Sequence, residues 1–326
     1  MSKVSVALAT FNGEKYILKQ LRSLLFQGRT IDEVIICDDA SSDNTVNIIK
    51  DFIEQNRLSN WHLHVNSENI GFLKNFKKAI ENTTGDIIFL CDQDDIWNKT
   101  KVGAMVNRFE SDERIKAIYS GFKFIDENDN IIRIHKKIMH SNNNLIKLRI
   151  EPFETVKIDF LTISSHNISP GCTLAFTREV KDIYLSKTKS ICVHDWELAL
   201  IASFLDGLYF FNTPLTNYRL HSKNTIGLSE LVSIRNRIQT NRHNICLNKA
   251  KEINSCLQAL DVYHDLLDED KMQILNKRCE FASMRLDALN KKDTLKICKL
   301  YKHNNSNYKA ITFKRILADI FCIFRK

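Results

Sequence analysis

The sequence predicts an α/β protein whose mostly parallel sheet is flanked by helices and followed by a C-terminal helical region. Three observations predict it. Short apolar runs alternate with stretches of helical spacing through residues 4–91, the alternation that builds parallel sheets covered on both faces. Three of those runs end in a polar cluster. Beyond Gly227 no Gly or Pro occurs, and the pattern is helical almost throughout.

The elements follow in order. Val4–Ala9 is apolar enough for a buried strand. In Lys15–Phe26, residues Ile17, Leu18, Leu21, Leu24 and Leu25 recur at helical spacing. Val34–Cys37 is a second strand, and in Ser42–Ile53 residues Val46, Ile49 and Ile53 share a helical face. Trp61–Val65 is a third strand, Gly71–Ile80 a third helix and Asp86–Cys91 a fourth strand. Ala117–Ile125 predicts a further strand, ended by a turn at Asp126–Asn130. Residues 135–166 are irregular and polar. Gly171–Phe176 reads as a strand, Asp195–Leu205 as a helix, and Leu208–Phe211 and Leu215–Leu220 as two strands separated by Pro214. The expected division is one domain over 1–227 and a helical region over 228–326.

Composition excludes several classes. Only 9 Gly and 3 Pro rule out a collagen-like or low-complexity chain, and 44% hydrophobic residues rule out disorder. No apolar run approaches the ~18 residues of a membrane span. Val4–Ala9 is too short for a signal-peptide core and no small-residue cleavage site follows, so a cytoplasmic location is expected. Nine Cys are present without any CxxC, which excludes zinc-finger spacing; Cys37 and Cys91 sit in apolar runs as small buried thiols.

The net charge of +8 is unevenly placed. Residues 1–227 carry 28 basic and 28 acidic side chains, whereas residues 291–326 carry 10 and 2. A basic tail on a neutral body points to an anionic surface. In that tail Phe313, Ile316, Leu317, Ile320, Phe321 and Phe324 share one helical face, surrounded by Lys309, Lys314, Arg315, Arg325 and Lys326. Residues 309–326 therefore fit an interfacial helix on an anionic membrane, or a last helix packed on the helical region. The tail lacks aromatic–basic interleaving and the body is neutral, which argues against nucleic acid.

Candidate chemistry lies where strands end, since ligands of open parallel sheets bind beyond the strands' carboxyl ends. After the first strand comes Thr10-Phe-Asn-Gly13, after the second Asp38-Asp-Ala-Ser-Ser-Asp43, after the fourth Asp92-Gln-Asp-Asp95. Three carboxylates within four residues repel one another unless paired, and Mg²⁺ or Mn²⁺ resolves this with hard oxygen ligands. An acidic turn before a helix is the alternative. Asp38-Asp39 has the same two readings. Asp43 with Asn44-Thr45 could start the Ser42–Ile53 helix, and Asp39 could instead hydrogen-bond a nucleobase or ribose. Neither GxGxxG nor GxxxxGK[ST] is present, so a dehydrogenase or P-loop enzyme is not expected.

Four ordered segments resemble family 2 glycosyltransferases of the GT-A (Rossmann-like) fold. They are Val4–Asn12, Asp38–Thr45, Asn69-Ile-Gly71 and Phe89–Trp97. The Asp-Gln-Asp-Asp-Ile-Trp form resembles the bacterial rhamnosyltransferase-like branch, which builds surface polysaccharides. The resemblance implies an inverting transfer from dTDP-rhamnose or a UDP-hexose to a saccharide or polyprenyl-diphosphate-linked acceptor. It assigns Thr10 and Phe11 to the nucleobase, with Phe11 stacking, Asn12 to the nucleotide sugar, and Asp39 to a hydrogen bond with the base. It assigns Asn69, Lys74, Gln93 and Asp95 to the donor side. Asp94, with Asp92 and His221, would hold Mn²⁺ or Mg²⁺, and Asp195 would be the general base. Two departures stand out: Ala9 replaces the usual Pro before Thr-Phe-Asn, and His194 replaces the common Glu before the base.

A sugar hydroxyl is a weak nucleophile near neutral pH, so a carboxylate must accept its proton during attack. Asp195 either plays that part or caps the helix it begins. Trp97 and Trp196 each adjoin an expected site carboxylate, and either stack on a sugar or pack in the core. Two other functions compete. A non-catalytic, membrane-associated sugar-nucleotide scaffold is opposed by the intact Asp92/Asp94 pair. A nucleotidylyltransferase is opposed by the missing glycine-rich phosphate loop.

Overall fold

A computed structural model describes residues 1–135, 137–168, 170–221 and 242–304, together with Leu317, Asp319, Ile320 and Ile323. It divides into two compact units, Met1–Ile163 with Asn167–Val232, and Ser233–Lys326 with Ser164–His166. The boundary expected near 228 lies outside the described residues.

The first unit is built on one sheet. Its strands are β1 (Val4–Thr10), β2 (Glu33–Asp38), β3 (Trp61–Val65), β4 (Ile87–Asp92), β5 (Ile96–Trp97), β6 (Ala117–Ile125), β7 (Ile131–Ile132), β8 (Thr155–Lys157), β9 (Leu174–Thr177) and β10 (Leu208–Arg219). The order is β3-β2-β1-β4-β9-β6-β10-β5, with β7 on β6 and β8 on β10. β1 pairs in parallel with β2 and β4, β2 with β3, and β6 with β10. β9 runs antiparallel to both β4 and β6, so those two strands point the same way. The carboxyl ends of β1, β2, β4, β6 and β10 therefore share one rim.

The apolar runs make this sheet because both faces are covered. Every residue of β1 and β2 is buried, and Val6, Leu8, Ile36 and Phe89 join one continuous core. The flanking helices are α1 (Ile17–Leu25), α2 (Thr45–Gln55), α3 (Phe72–Glu81), α4 (Lys101–Ser111), a short α5 (Phe160–Ile163), α6 (Arg178–Lys187) and α7 (His194–Phe204). The spacing read in α1 buries Ile17, Leu21 and Leu24 and leaves Leu18 exposed. α7 is buried along its whole length.

Some details differ from the sequence reading. The two strands expected around Pro214 are one, β10, whose register shifts at Pro214. The proline is exposed at that irregularity, where a missing N–H is tolerated. Helices α4 and α6 were not foreseen. Residues 135–166 do contain structure, namely β8 and α5. Cys37, Cys91 and Cys172 are buried free thiols, while Cys192 is disulfide-bonded.

The second unit contains α8 (Arg242–Ala259), α9 (Glu269–Asn290) and α10 (Thr294–Asn304). Asp268 caps α9, accepting the Lys271 N–H at 2.8 Å. Ala250, Ala288, Leu289, Ile297 and Leu300 form its core, and Ile320 and Ile323 pack against it. Arg285 holds the buried Asp319 through two bonds, Nε at 2.8 Å and a terminal nitrogen at 2.7 Å. Of the apolar stripe expected in the tail, Ile320 is thus packed and Leu317 is exposed; its other members lie outside the described residues. Cys256 is disulfide-bonded. Among the described residues no helix is long and apolar enough to cross a membrane.

Candidate active site

Register brings the polar strand ends together: Thr10 lies opposite Asp38, and Ala9 opposite Asp92. The buried Asp38 carboxylate accepts the Thr10 hydroxyl at 2.7 Å and the Ser41 hydroxyl at 2.6 Å. Ser41 in turn accepts the Asn12 N–H at 2.8 Å, and Asn12 Oδ1 accepts the Ser42 N–H at 2.8 Å. Asn12 and Ala40 adopt positive φ, 47° and 59°, which closes both turns tightly.

Gln93 clamps the first turn to the acidic motif. Its Oε1 accepts the Phe11 N–H at 2.8 Å and its Nε2 donates to the Phe11 carbonyl at 2.9 Å. A Cβ on Gly13 would lie 2.2 Å from that Gln93 oxygen, so any larger residue there would push the Gln93 side chain out of the clamp. The clamp leaves the Phe11 ring 43% exposed at the rim. Phe11 can therefore stack on a flat ligand, whereas Thr10 and Gln93 act on the chain itself.

Asp39 is buried, and its carboxylate accepts Asn66 Nδ2 at 2.9 Å and the N–H groups of Ile70 at 2.8 Å and Gly71 at 2.9 Å. It organises the Asn66–Gly71 turn, in which Gly71 has φ 85°. Asn69 Oδ1 accepts the same Gly71 N–H at 3.1 Å. Asn69 and Lys74 are exposed around this turn.

The four residues of the acidic motif do not share a role. Asp94 Oδ2 lies 2.7 Å from His221 Nε2, a contact across 127 residues of sequence. Asp95 points the other way. It is 1% exposed, and Oδ1 accepts the Arg219 N–H at 2.9 Å. That placement corrects its assignment to the donor. Oxygens of Asp92 and Asp95 and the Cys172 sulfur lie within 4.8 Å of one another. Burial, then the charges of Asp95, Asp94 and Asp195, push Asp92 well above the usual carboxylate range. Burial and Asp94 push Asp95 up to about 7. The Cys172 thiol is likewise raised by burial, so it is no thiolate and suits a hard cation poorly. Carboxylate oxygens and an imidazole nitrogen, offered by Asp94, Asp92 and His221, do fit Mn²⁺ or Mg²⁺.

Two residues that the sequence reading left unassigned support the motif. Arg219 is fully buried. Its Nε donates to the Asp94 carbonyl at 2.7 Å, another nitrogen to the Asp126 carbonyl at 2.7 Å, and a third pairs with Asp129 at 2.6 Å. Its guanidinium lies 4.6 Å over Tyr16, whose ring is 5.1 Å from that of His221. Lys101, also fully buried, donates to the Cys172 carbonyl and to Thr216 Oγ1 at 3.0 Å. Burial pulls its pKa down to about 8.

Asp195 lies in the first turn of α7 rather than capping it; the cap is Val193. Its Oδ2 accepts Asn167 Nδ2 at 3.0 Å and its Oδ1 the Trp196 N–H at 2.7 Å. Burial raises it to about 6 against those bonds. Gly171 packs so closely that a Cβ there would lie 3.0 Å from Asp195 Oδ2. His194 stacks on Phe76 at 4.0 Å, and burial pushes it down to about 3, so it is neutral packing.

Neither indole faces the rim. Trp97 is 3% exposed, with the Lys101 ammonium 3.7 Å over its ring. Trp196 is 5% exposed and donates to the Ile163 carbonyl at 2.8 Å. Of the two alternatives, stacking on a sugar or packing in the core, both indoles take the core: an apolar ring beside a strand end or in a buried helix is buried.

Residues 5–182 match the profile of the family described as Glycosyl transferase family 2. The dTDP-rhamnosyl transferase RfbG of Shigella flexneri is 29% identical over 232 residues, covering 68% of this chain and 73% of that protein. The crystal structure of residues 1–349 of TarS from S. aureus with UDP-GlcNAc superposes at a TM-score of 0.57 and 17% identity. It covers 93% of this chain and 91% of that one. A mannosyltransferase of Pyrobaculum calidifontis with GDP-Man and Mn²⁺ superposes at 0.54 and 16% identity, covering 99% and 86%. The last two are likenesses of fold.

Proposed function

Because this chain belongs to glycosyl transferase family 2, we propose that it moves a sugar from a nucleotide-sugar donor to a saccharide or polyprenyl-diphosphate-linked acceptor, inverting the anomeric centre with a divalent cation bound. One observation carries this reading. Asp94 and His221 meet at 2.7 Å on the rim that also holds Asp92, and Asp195 lies close enough to act on Asp92 through its charge.

Each side chain then has a task. Phe11 stacks on the nucleobase, supported from behind by Gln93. Asp39 shapes the turn that carries Asn69 and Lys74 toward the donor. Asp94, His221 and Asp92 hold Mn²⁺ or Mg²⁺, which when bound offsets the charge of the departing nucleoside diphosphate. Asp195 takes the proton of the acceptor hydroxyl as it attacks the face opposite the leaving group. Its raised pKa makes it a stronger base than an ordinary carboxylate while leaving it ionised at neutral pH. The sugar passes through an oxocarbenium-like state. Rhamnose from dTDP is favoured by the likeness to RfbG, with a UDP-hexose as the alternative. The work site is the cytoplasmic face of a membrane, where the basic 309–326 segment would hold the enzyme near a lipid-linked acceptor.

Thermal shift with dTDP, UDP and GDP, each with and without Mn²⁺, tests the reading. One nucleotide should stabilise the protein only with metal, and Asp94→Ala should abolish that shift. Stabilisation equal with and without metal would refute the metal assignment.

A further inference from the structure

We propose that residues 131–150 form a docking loop for an anionic lipid surface, set on the same rim as the acidic motif. The loop leaves the sheet just after β6, whose end pairs with β7. Arg219 ties its first turn to the motif, donating to the Asp126 carbonyl while it holds the Asp94 carbonyl.

The composition of this segment is one-sided. Between Ile131 and Ile150 stand Arg133, Lys136, Lys137, Lys147 and Arg149, with His135 and His140, and no Asp or Glu. The rest of residues 1–227 carries 23 basic and 28 acidic side chains, so the segment is a cationic patch on an otherwise acidic unit. The segment also holds apolar side chains in the open: Ile138 is 91% exposed, Ile131 59%, Met139 58% and Leu148 51%. Exposed apolar residues grouped among cations mark an interaction surface rather than ordinary scatter.

The described side chains of this segment, Lys136 apart, are displayed by a built scaffold. Ile132, Ile134 and Leu145 turn inward and pack against Phe122, Phe124 and Tyr218, while Ile131, Arg133 and His135 between them face out. Asn142, Asn143 and Asn144 all adopt positive φ, 47°, 55° and 69°. Their amides donate to the carbonyls of Ile168 at 3.1 Å, Phe122 at 2.9 Å and His135 at 2.8 Å. Asn144 Oδ1 accepts the Lys137 N–H at 2.7 Å, fixing the backbone just before Ile138 and Met139. Two apolar side chains are thus held outward, flanked by cations. That combination suits a lipid surface, where the apolar tips enter the acyl boundary and the cations meet phosphate headgroups. A soluble polyanion would use the charges and leave Ile138 and Met139 without a purpose.

The proposal builds on the transfer reading for its purpose, to present a lipid-linked acceptor to the rim, but vesicle binding requires no turnover. The full-length protein should co-sediment with phosphatidylglycerol vesicles and far less with phosphatidylcholine vesicles. Ile138→Asp/Met139→Asp and Arg133→Glu/Lys137→Glu should each weaken that binding by about tenfold or more, with unchanged melting temperature and unchanged nucleotide-induced shift. As a separate measurement, the emission of an Ile138→Trp variant should shift to the blue on phosphatidylglycerol vesicles. Failure of the wild-type protein to bind those vesicles overturns the proposal. So does binding by both double variants at wild-type strength, which would assign the membrane contact to residues 309–326. A loss of nucleotide binding with vesicle binding intact would instead count against the transfer reading alone.

Discussion

Arg219 donates its backbone N–H to Asp95 at 2.9 Å and its side-chain Nε to the carbonyl of Asp94 at 2.7 Å. One residue at the end of β10 thereby fixes the backbone of Asp94 and the inward turn of Asp95. Its guanidinium also supports Tyr16, on which His221 leans.

Arg219→Met should therefore damage fold and site together. Removing a buried cation that serves several acceptors costs about 3–5 kcal/mol. We expect a lower unfolding midpoint and at least about tenfold weaker metal-dependent nucleotide binding, the range seen when supporting residues of a metal site are lost. Tight nucleotide binding by a destabilised Arg219→Met would show that Arg219 acts on the fold alone.

Asp195 should set the acidic limb of the rate. It is raised to about 6 by burial and must be ionised to act as base, so transfer should fall about tenfold per pH unit below that value. Asn167 donates to the ionised form, so Asn167→Leu should move the limb to higher pH. Asp195→Asn should retain donor binding and lose transfer by about 10²–10⁴. Wild-type turnover in Asp195→Asn would remove it from the mechanism.

The same group has a stability signature. A carboxyl whose folded pKa is raised favours the unfolded state once pH exceeds its unfolded value near 3.8, and the cost is complete above about 6. Asp195→Asn should thus stabilise the protein by about 3 kcal/mol at pH 7.5, with the gain vanishing below about pH 4. Denaturant titrations at the two pH values measure the difference.

Phe11 and Trp97 should separate cleanly. Phe11→Ala removes a ring at the rim and should raise the donor KM about tenfold with little change in stability. Trp97→Ala opens the core and should cost about 3–5 kcal/mol, while Trp97→Phe should keep the donor KM. A large donor effect in Trp97→Phe would return the indole to the binding surface.

Arg285→Met should destabilise the helical unit by about 3–5 kcal/mol, since it leaves the Asp319 charge buried. Protease sensitivity at the chain's end should rise with it. An unchanged cleavage pattern would mean that Asp319 is not held as described.

The first four strands and three helices were legible because apolar runs and helical spacing are local signals. β5 is two residues long and has no period to detect. The direction of β9 was hidden, since a four-residue apolar strand reads alike either way. The rim carboxylates were legible as strand ends, but their division was not. Whether Asp94 or Asp95 faces the cleft depends on the turn after β4 and on Arg219, more than 120 residues away. Both tryptophans adjoin rim carboxylates in the sequence, which leaves stacking and core packing open, and burial decides for the core. Arg219 itself stood beside His221 in the sequence, where only a solvent-inaccessible position separates a structural cation from a ligand-binding one.

The placement of β9 between β4 and β6 also bears on how the molecule is made. As the chain leaves the ribosome, β4 and β6 are complete long before the strand that joins them. Until Leu174–Thr177 emerges, each has an open edge available for wrong pairing, and His221 reaches Asp94 only after β10 has followed. The nascent protein therefore cannot form the Asp94–His221 contact until nearly the whole first unit has been synthesised. A message cut short before that point would yield an inert, aggregation-prone fragment rather than a partly active enzyme.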